Sequence, residues 1–318
     1  MKTRTGRAGF SPRETSVPRA ASKLDCLVAG EANIDLMIQS TDVLEPGKEK
    51  LAQNFGLALG GSSAITAFNL ASFGTKVGFV GVVGTDVLGR FVRERLVAGG
   101  VDVRFLRQSE REKTGITVWF DRSGERGGMT YLGTIPLLRP ADIPFGRLNG
   151  ARHLHVGHYF LLQKFHSGAP AVFAKAKRLG LTTSMDCNYD PSEKWDSNIR
   201  KVLPHVDVFF PNEQEASRLT GCTRAEDAAR ELGRLAKIIA VKLGERGVLV
   251  FSAGELFRVP ASKVRAVDTT GAGDSFNAGF LARFLRGASV RECAKSGVAA
   301  AARCVQRVGG TAAFEKKS

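Results

Sequence analysis

Nine residues near the C-terminal end carry the clearest chemistry: Asp268-Thr269-Thr270-Gly271-Ala272-Gly273-Asp274-Ser275-Phe276. They open a segment with helical patterning over Gly273–Leu285. Glycines at 271 and 273 let the backbone turn tightly and expose successive N–H groups at a helix N-terminus. Such an end binds anions through unpaired N–H donors and the positive pole of the helix dipole. An Asp in the same first turn lies beside a bound phosphate and can accept the proton of an attacking hydroxyl. Phosphoryl transfer is mostly positioning and charge stabilisation, so an anion cradle with a carboxylate base supplies much of what it needs. Asp and Gly also begin ordinary helices, but the nine-residue string is more specific than a cap.

Two further clusters sit where an open α/β sheet places ligands, beyond the C-terminal ends of strands. His155, His158 and Tyr159 follow one strand-like run, and Met185-Asp186-Cys187-Asn188-Tyr189-Asp190 ends another. His158, Asp186 and Asn188 are therefore candidates for a substrate pocket, although a lone histidine there is more commonly structural.

The elements that must hold these residues alternate in type. Strand-like runs at Leu24–Gly30, Val77–Val83, His153–Val156, Leu181–Asp186, Val206–Phe210, Ile238–Leu243 and Val248–Ser252 are separated by helical patterns. The helices fall at Ser63–Phe73, Val87–Ala98, Pro170–Leu179, Glu213–Thr220, Arg224–Ala236, Gly273–Leu285 and Val290–Val305. This alternation predicts a mostly parallel central sheet with helices on both faces. Lys50–Leu59 and Thr114–Leu132 break the rhythm with mixed polar and apolar strands and a Gly-rich turn near Ser123–Gly128. They predict a small β-sheet lid, with strands at about 48–59 and 114–134, over a site at the sheet's edge.

With 318 residues the chain can bury a substantial core. Residues 1–23, basic and rich in Ser, Pro and Gly, read as a disordered tail before a domain at 24–318. The formal net charge is +15. Lys2, Arg4, Arg7, Arg13, Arg19 and Lys23 against Glu14 put a third of it in the tail, and no basic block is interleaved with aromatics. Nucleic-acid binding is not indicated. No apolar run reaches membrane-spanning length. The five cysteines form no disulfide or zinc pattern and suit a cytoplasmic protein. P-loop, dinucleotide, nucleophile-elbow and zinc-helix motifs are absent.

Asp268–Phe276 resembles the C-terminal signature of the ribokinase, or phosphofructokinase-B type, carbohydrate kinase family. Gly60-Gly61-Ser62-Ser63-Ala64-Ile65-Thr66-Ala67, with Leu70, Ala71, Phe73 and Gly74, resembles its N-terminal signature. Gly84-Thr85-Asp86 with Gly89, Gly99–Asp102, Pro211–Ala216 and Val241–Gly247 match further family stretches in order, from about Leu24 to Gly310. The resemblance implies a ribokinase-like fold and transfer of the γ-phosphoryl of ATP to a sugar hydroxyl. In that reading Asp274 is the base and Gly271, Ala272 and Gly273 are the anion hole. It places Asn33, Asp35, Gly60 and Gly61 on the substrate, and Asn212, Glu215, Lys242, Gly244 and Gly247 on the nucleotide. Glu215 would organise Mg2+ through water, Asp268 would bind a monovalent cation such as K+, and lids of the family often pair two subunits into a homodimer. Ile65 departs from the pattern, standing where the family commonly has Asn. It is explained equally by core packing and by changed substrate specificity. Two other readings remain: a nucleoside (adenosine-type) kinase of the family, and a non-catalytic sugar-binding regulator on the same fold.

Overall fold

Alternate residues of β1 (Cys26–Ala29) point into two different cores. Cys26 and Val28 join one apolar cluster, and Leu27 and Ala29 the other. A strand buried on both faces must lie inside a sheet covered by helices on both sides. The computed structural model, which describes residues 23–40, 42, 45–122, 125–148 and 150–315, shows that arrangement. Residues 1–22 of the expected tail lie outside the described residues, as do 123 and 124 of the expected Gly-rich turn.

From β1 the chain continues through β2 (Asn33–Gln39), β3 (Asn54–Gly60), α1 (Ser62–Ser72), β4 (Val77–Gly84), α2 (Val87–Ala98) and β5 (Asp102–Ser109). Next come β6 (Ile116–Arg122), β7 (Glu125–Tyr131), β8 (His153–Val156), α3 (Ala169–Arg178), β9 (Thr182–Met185), α4 (Ile199–Val202) and β10 (Val208–Phe209). The rest is α5 (Glu213–Thr220), α6 (Ala225–Leu232), β11 (Ile238–Lys242), β12 (Val248–Ser252), β13 (Glu255–Val259), α7 (Ala272–Phe284) and α8 (Val290–Cys304).

Nine strands form the large sheet in the order β13-β12-β11-β10-β9-β8-β1-β4-β5. It is parallel from β11 to β5, with β12 and β13 added antiparallel at one edge. Strand order reverses at β1: β4 and β5 lie to one side and β8 to β11 to the other. Such a switch opens a crevice at the strands' C-terminal ends. Helices α1, α2, α7 and α8 pack on one face, and α3 to α6 on the other.

Four strands in the order β3-β2-β6-β7 make the smaller sheet, with β2 and β6 parallel and both outer pairs antiparallel. The chain passes between this sheet and the body four times, at residues 30–32, at Gly61, at 110–115 and at 132–134. Asp86 ties one crossing down. It caps α2 by accepting from Gly89 N at 2.8 Å, and it also accepts from Thr114 N and Thr114 Oγ1, each at 2.8 Å.

Several details differ from the sequence expectation. Asn33 and Asp35, expected on the substrate, lie on β2, a strand that the sequence pattern did not mark. Their polar side chains hide the alternation because they face a site and not a core. Strands β5 and β13 also escape the pattern, since both are sheet edges with mixed polar residues. The helix expected to reach Ala236 stops at Leu232, where Gly233 caps α6.

Phe280 on α7 is fully buried, with Phe210, Phe276 and Phe284 at ring-centroid distances of 5.3, 6.1 and 6.3 Å. Phe280→Ala should therefore cost about 3–5 kcal/mol, measured by urea unfolding. A loss below about 1 kcal/mol would mean this cluster is not what seats α7.

Candidate active site

The first turn of α7 meets the first turn of α1. Gly271 turns the chain into α7 with φ 72°, a conformation glycine adopts readily. A side chain there would meet Gly310 Cα at 2.5 Å, so the turn also requires a residue without Cβ. Ser62 Oγ donates a short hydrogen bond to Asp274 Oδ1, and Thr66 Oγ1 donates to the Asp274 carbonyl at 3.4 Å. Asn69 Nδ2 donates to Ser275 Oγ at 2.9 Å and to the Gly310 carbonyl at 3.0 Å. Burial pushes the Asp274 carboxyl up to about 7. The Ser62 bond and Lys242 oppose that rise, while Asp186 and Glu31 add to it. A carboxyl titrating near neutrality suits a general base.

Asn33 and Asp35 converge on the β3–α1 turn. Register places Asn33 opposite Gly60 and Asp35 opposite Ala58. A Cβ on Gly60 would stand 2.5 Å from Asp35 Oδ1, and one on Gly61 2.6 Å from Asn33 Oδ1. Asn33 Nδ2 donates to Thr117 Oγ1 at 3.2 Å, whereas its Oδ1 is buried without a partner. An orphaned acceptor in a polar corner is what a ligand hydroxyl would satisfy. Asn188 reaches the same corner, its side chain 3.3 Å from Ser62 Oγ.

His158 follows β8 in the left-handed region, at φ 48°. Its Nδ1 lies 3.0 Å from Glu31 Oε1, and Glu31 Oε2 accepts from Ser63 Oγ at 2.7 Å. Burial works against protonation of His158, but Glu31 outweighs it and the ring's pKa is raised.

A cavity of about 940 Å³ opens on the other side of the α7 start. Gly244 and Gly247 line one wall, Val298 and Ala301 of α8 with Val305 just beyond it another, and Gly273 with Lys242 the polar end. Lys242 Nζ lies 2.5 Å from Asp186 Oδ2, which also accepts from Asn277 Nδ2 at 2.6 Å. Asp186, expected on the substrate, is fully buried in this pairing.

Asn212 and Glu215 form a reciprocal cap on α5: Asn212 Oδ1 accepts from Glu215 N at 2.8 Å, and Glu215 Oε2 from Asn212 N at 2.9 Å. Asp186, Cys187 and Glu215 bring ligand atoms within 4.8 Å of one another. A thiol among them is a poor ligand for magnesium, which prefers oxygen. Because Asn212 engages both Glu215 oxygens, the residues fit magnesium through its water shell and not by direct ligation. Asp268 accepts from Thr270 N, Thr270 Oγ1 and Gly309 N at 2.9, 2.6 and 2.8 Å, tying the approach to α7 to the segment after α8.

Of the expected residues, Asn33, Asp35, Gly60, Gly61, His158 and Asn188 gather on one side of Asp274, while Lys242, Gly244 and Gly247 gather on the other. Asp268 stands apart with Gly309. Ile65 is 3 % exposed, and a Cβ at Gly271 or Gly310 would meet its methyl groups. Glu31, Ser62 and Asn277 were missed. Each gains meaning only from a partner at least 32 positions away, and an acidic residue after Gly30 at a strand end was the one local signal available.

Comparison with known proteins places the chain in a family. The chain is 28% identical over 290 residues to a ribokinase of Haemophilus influenzae, covering 89% of this chain and 92% of that one. An adenosine kinase from Sinorhizobium meliloti superposes with a TM-score of 0.80 at 27% identity, covering 91% of this chain and 96% of that one. The Arabidopsis thaliana ribokinase solved with ribose and ATP superposes with a TM-score of 0.77 at 26% identity, covering 93% and 100%. The profile of the pfkB family carbohydrate kinases matches residues 23–317, and the chain belongs to that family.

Proposed function

We propose that this chain transfers the γ-phosphoryl group of ATP to a hydroxyl of a sugar, with Asp274 as the general base. Family membership makes it a phosphotransferase with an alcohol group as acceptor. The observation that carries the finer reading is the Asp274 carboxyl itself, raised to about 7 and set between a polar corner and a large cavity. Asn33 and Asp35 hold the acceptor, helped by the open Asn33 Oδ1. The Gly271–Gly273 backbone amides receive the phosphoryl oxygens at the helix start. Gly244, Gly247 and the apolar wall of α8 seat the nucleotide. Glu215, oriented by Asn212, accepts hydrogen bonds from waters of the metal shell; bound magnesium supplies neutralisation of phosphate charge.

Among the proteins compared, the plant ribokinase was solved with ribose and ATP, and the Sinorhizobium protein is named an adenosine kinase. Both acceptor classes therefore belong in the test. Turnover of ATP is measured across a panel of sugars and nucleosides. A sugar preference supports this reading, a nucleoside preference moves the chain to the adenosine-type branch, and no turnover leaves a binding protein.

Asp274→Asn keeps shape and capping ability but removes the base, so kcat should fall about 10²–10⁴-fold. The parent's kcat/KM should rise along a limb near pH 7 that the variant lacks. Stability gives a second readout. The folded carboxyl titrates at about 7 against an ordinary 3.8, so the folded protein holds a proton that the unfolded chain releases between those values. That contribution is full below 3.8 and is lost as pH rises through 7. The melting temperature of Asp274→Asn relative to the parent should accordingly be higher at pH 8 than at pH 5. Turnover within about fivefold of the parent would make Asp274 a cap only.

Ile65 is buried beside Gly271 and Gly310, so burying an amide there through Ile65→Asn should destabilise by about 1–3 kcal/mol with acceptor preference unchanged. A tenfold or larger preference shift at unchanged stability would instead place residue 65 in the pocket.

Phe55, Met129 and Tyr131 of the small sheet are 72%, 75% and 51% exposed, an apolar face on which we place a homodimer contact. Sedimentation should show a dimer that Phe55→Glu dissociates; a monomeric parent overturns this.

A further inference from the structure

Lys242 ends β11 against the cradle at the start of α7. A Cβ on Gly273 would stand 3.4 Å from its Nζ. Its side chain is 15% exposed and lines the nucleotide cavity. Three elements fix it. The ammonium pairs with Asp186, beyond β9, and Asp186 is in turn held by Asn277, one helical turn after Asp274 on α7. Burial disfavours the lysine's charge, and Asp186 and Glu215 together more than restore it.

A buried ion pair is a poor way to gain stability, because desolvation offsets most of the attraction. An ammonium has three N–H donors, and Asp186 takes one of Lys242's. A lysine kept only to balance Asp186 has no need to face a cavity beside an anion cradle. One acting on phosphate needs that place.

We propose that Lys242 is a catalytic residue of the phosphoryl transfer, with Asp186 and Asn277 positioning its ammonium so that it holds the γ-phosphoryl oxygens against the Gly271–Gly273 amides. This rests on the kinase reading above. In the step it serves, the acceptor hydroxyl oxygen forms a bond to the γ-phosphorus and its proton passes to Asp274. The bond from that phosphorus to the β–γ bridging oxygen breaks, and its electron pair leaves with the nucleoside diphosphate. Charge builds on the equatorial and bridging oxygens, beside three carboxyl groups: Asp274, Asp186 and Glu215. Lys242 offsets that repulsion where the charge develops.

Lys242→Met alone strands the Asp186 charge in the interior, so the informative variant is Lys242→Met with Asp186→Asn, which removes both charges together. It should fold, lose about 10²–10³-fold in kcat, and bind ATP about tenfold or more weakly relative to ADP by calorimetry. Asp186→Asn alone keeps the ammonium but loosens its position. It should lower kcat about tenfold while ADP affinity holds. The assignment is overturned if the double variant, or Asp186→Asn should the double variant not fold, stays within about fivefold of the parent in kcat with an unchanged ATP-to-ADP affinity ratio. A parent that turns over no acceptor on the panel defeats the kinase reading itself. A parent that is active, with Asp274→Asn dead and the double variant active, defeats only the role given to Lys242.

Discussion

Two helices begin against each other in this fold, and both present the positive ends of their dipoles. Helix α1 starts at Ser62 after Gly61, and α7 starts at Ala272 after Gly271. Like poles brought this close are unfavourable unless a hydrogen-bond acceptor lies between them. The Asp274 side chain takes that position, bonded to Ser62 at the head of one helix while belonging to the other. Asn69 fastens the second turn through Ser275 and Gly310.

The remaining charges are sorted by how far they lie from that point. His153 and His155 sit on β8 with Ser184 between their rings, and burial drives them down to about 3 and about 4, so they stay neutral parts of the core. Three residues on, His158 has left the sheet and meets Glu31, and its pKa moves the other way. The same residue type shifts in opposite directions within one short segment because the later position is hydrogen-bonded to a carboxylate, whereas the rings of the earlier two bond hydroxyls.

Much of this was readable before any coordinates. The Asp268–Phe276 string announces itself because glycine, a helix start and an acid lie within nine residues. Helices α2 and α5 match their expected bounds, since Asp86 and Asn212 are strong caps before clear apolar periodicity. The partnerships that tune the site were not readable. Ser62 with Asp274, Lys242 with Asp186, and Glu31 with Ser63 and His158 are made by packing between distant segments. Strand β2 escapes the pattern because Asn33 and Asp35 put polar residues at buried strand positions.

The four passages between the small sheet and the body lie close together, and each contains a glycine with no room for a Cβ. At Gly30 the obstacle is Ser63 Oγ at 1.9 Å, at Gly61 Asn33 Oδ1 at 2.6 Å, at Gly115 the Leu132 carbonyl at 2.8 Å, and at Gly133 the Lys113 carbonyl at 2.2 Å. Crowding of this kind turns the row into a crease, not a slack joint. Sliding of the small sheet along it would strain the Asp86–Thr114 and Glu31–Ser63 bonds beside the row. Asn33 and Asp35 lie on the small sheet close to that row.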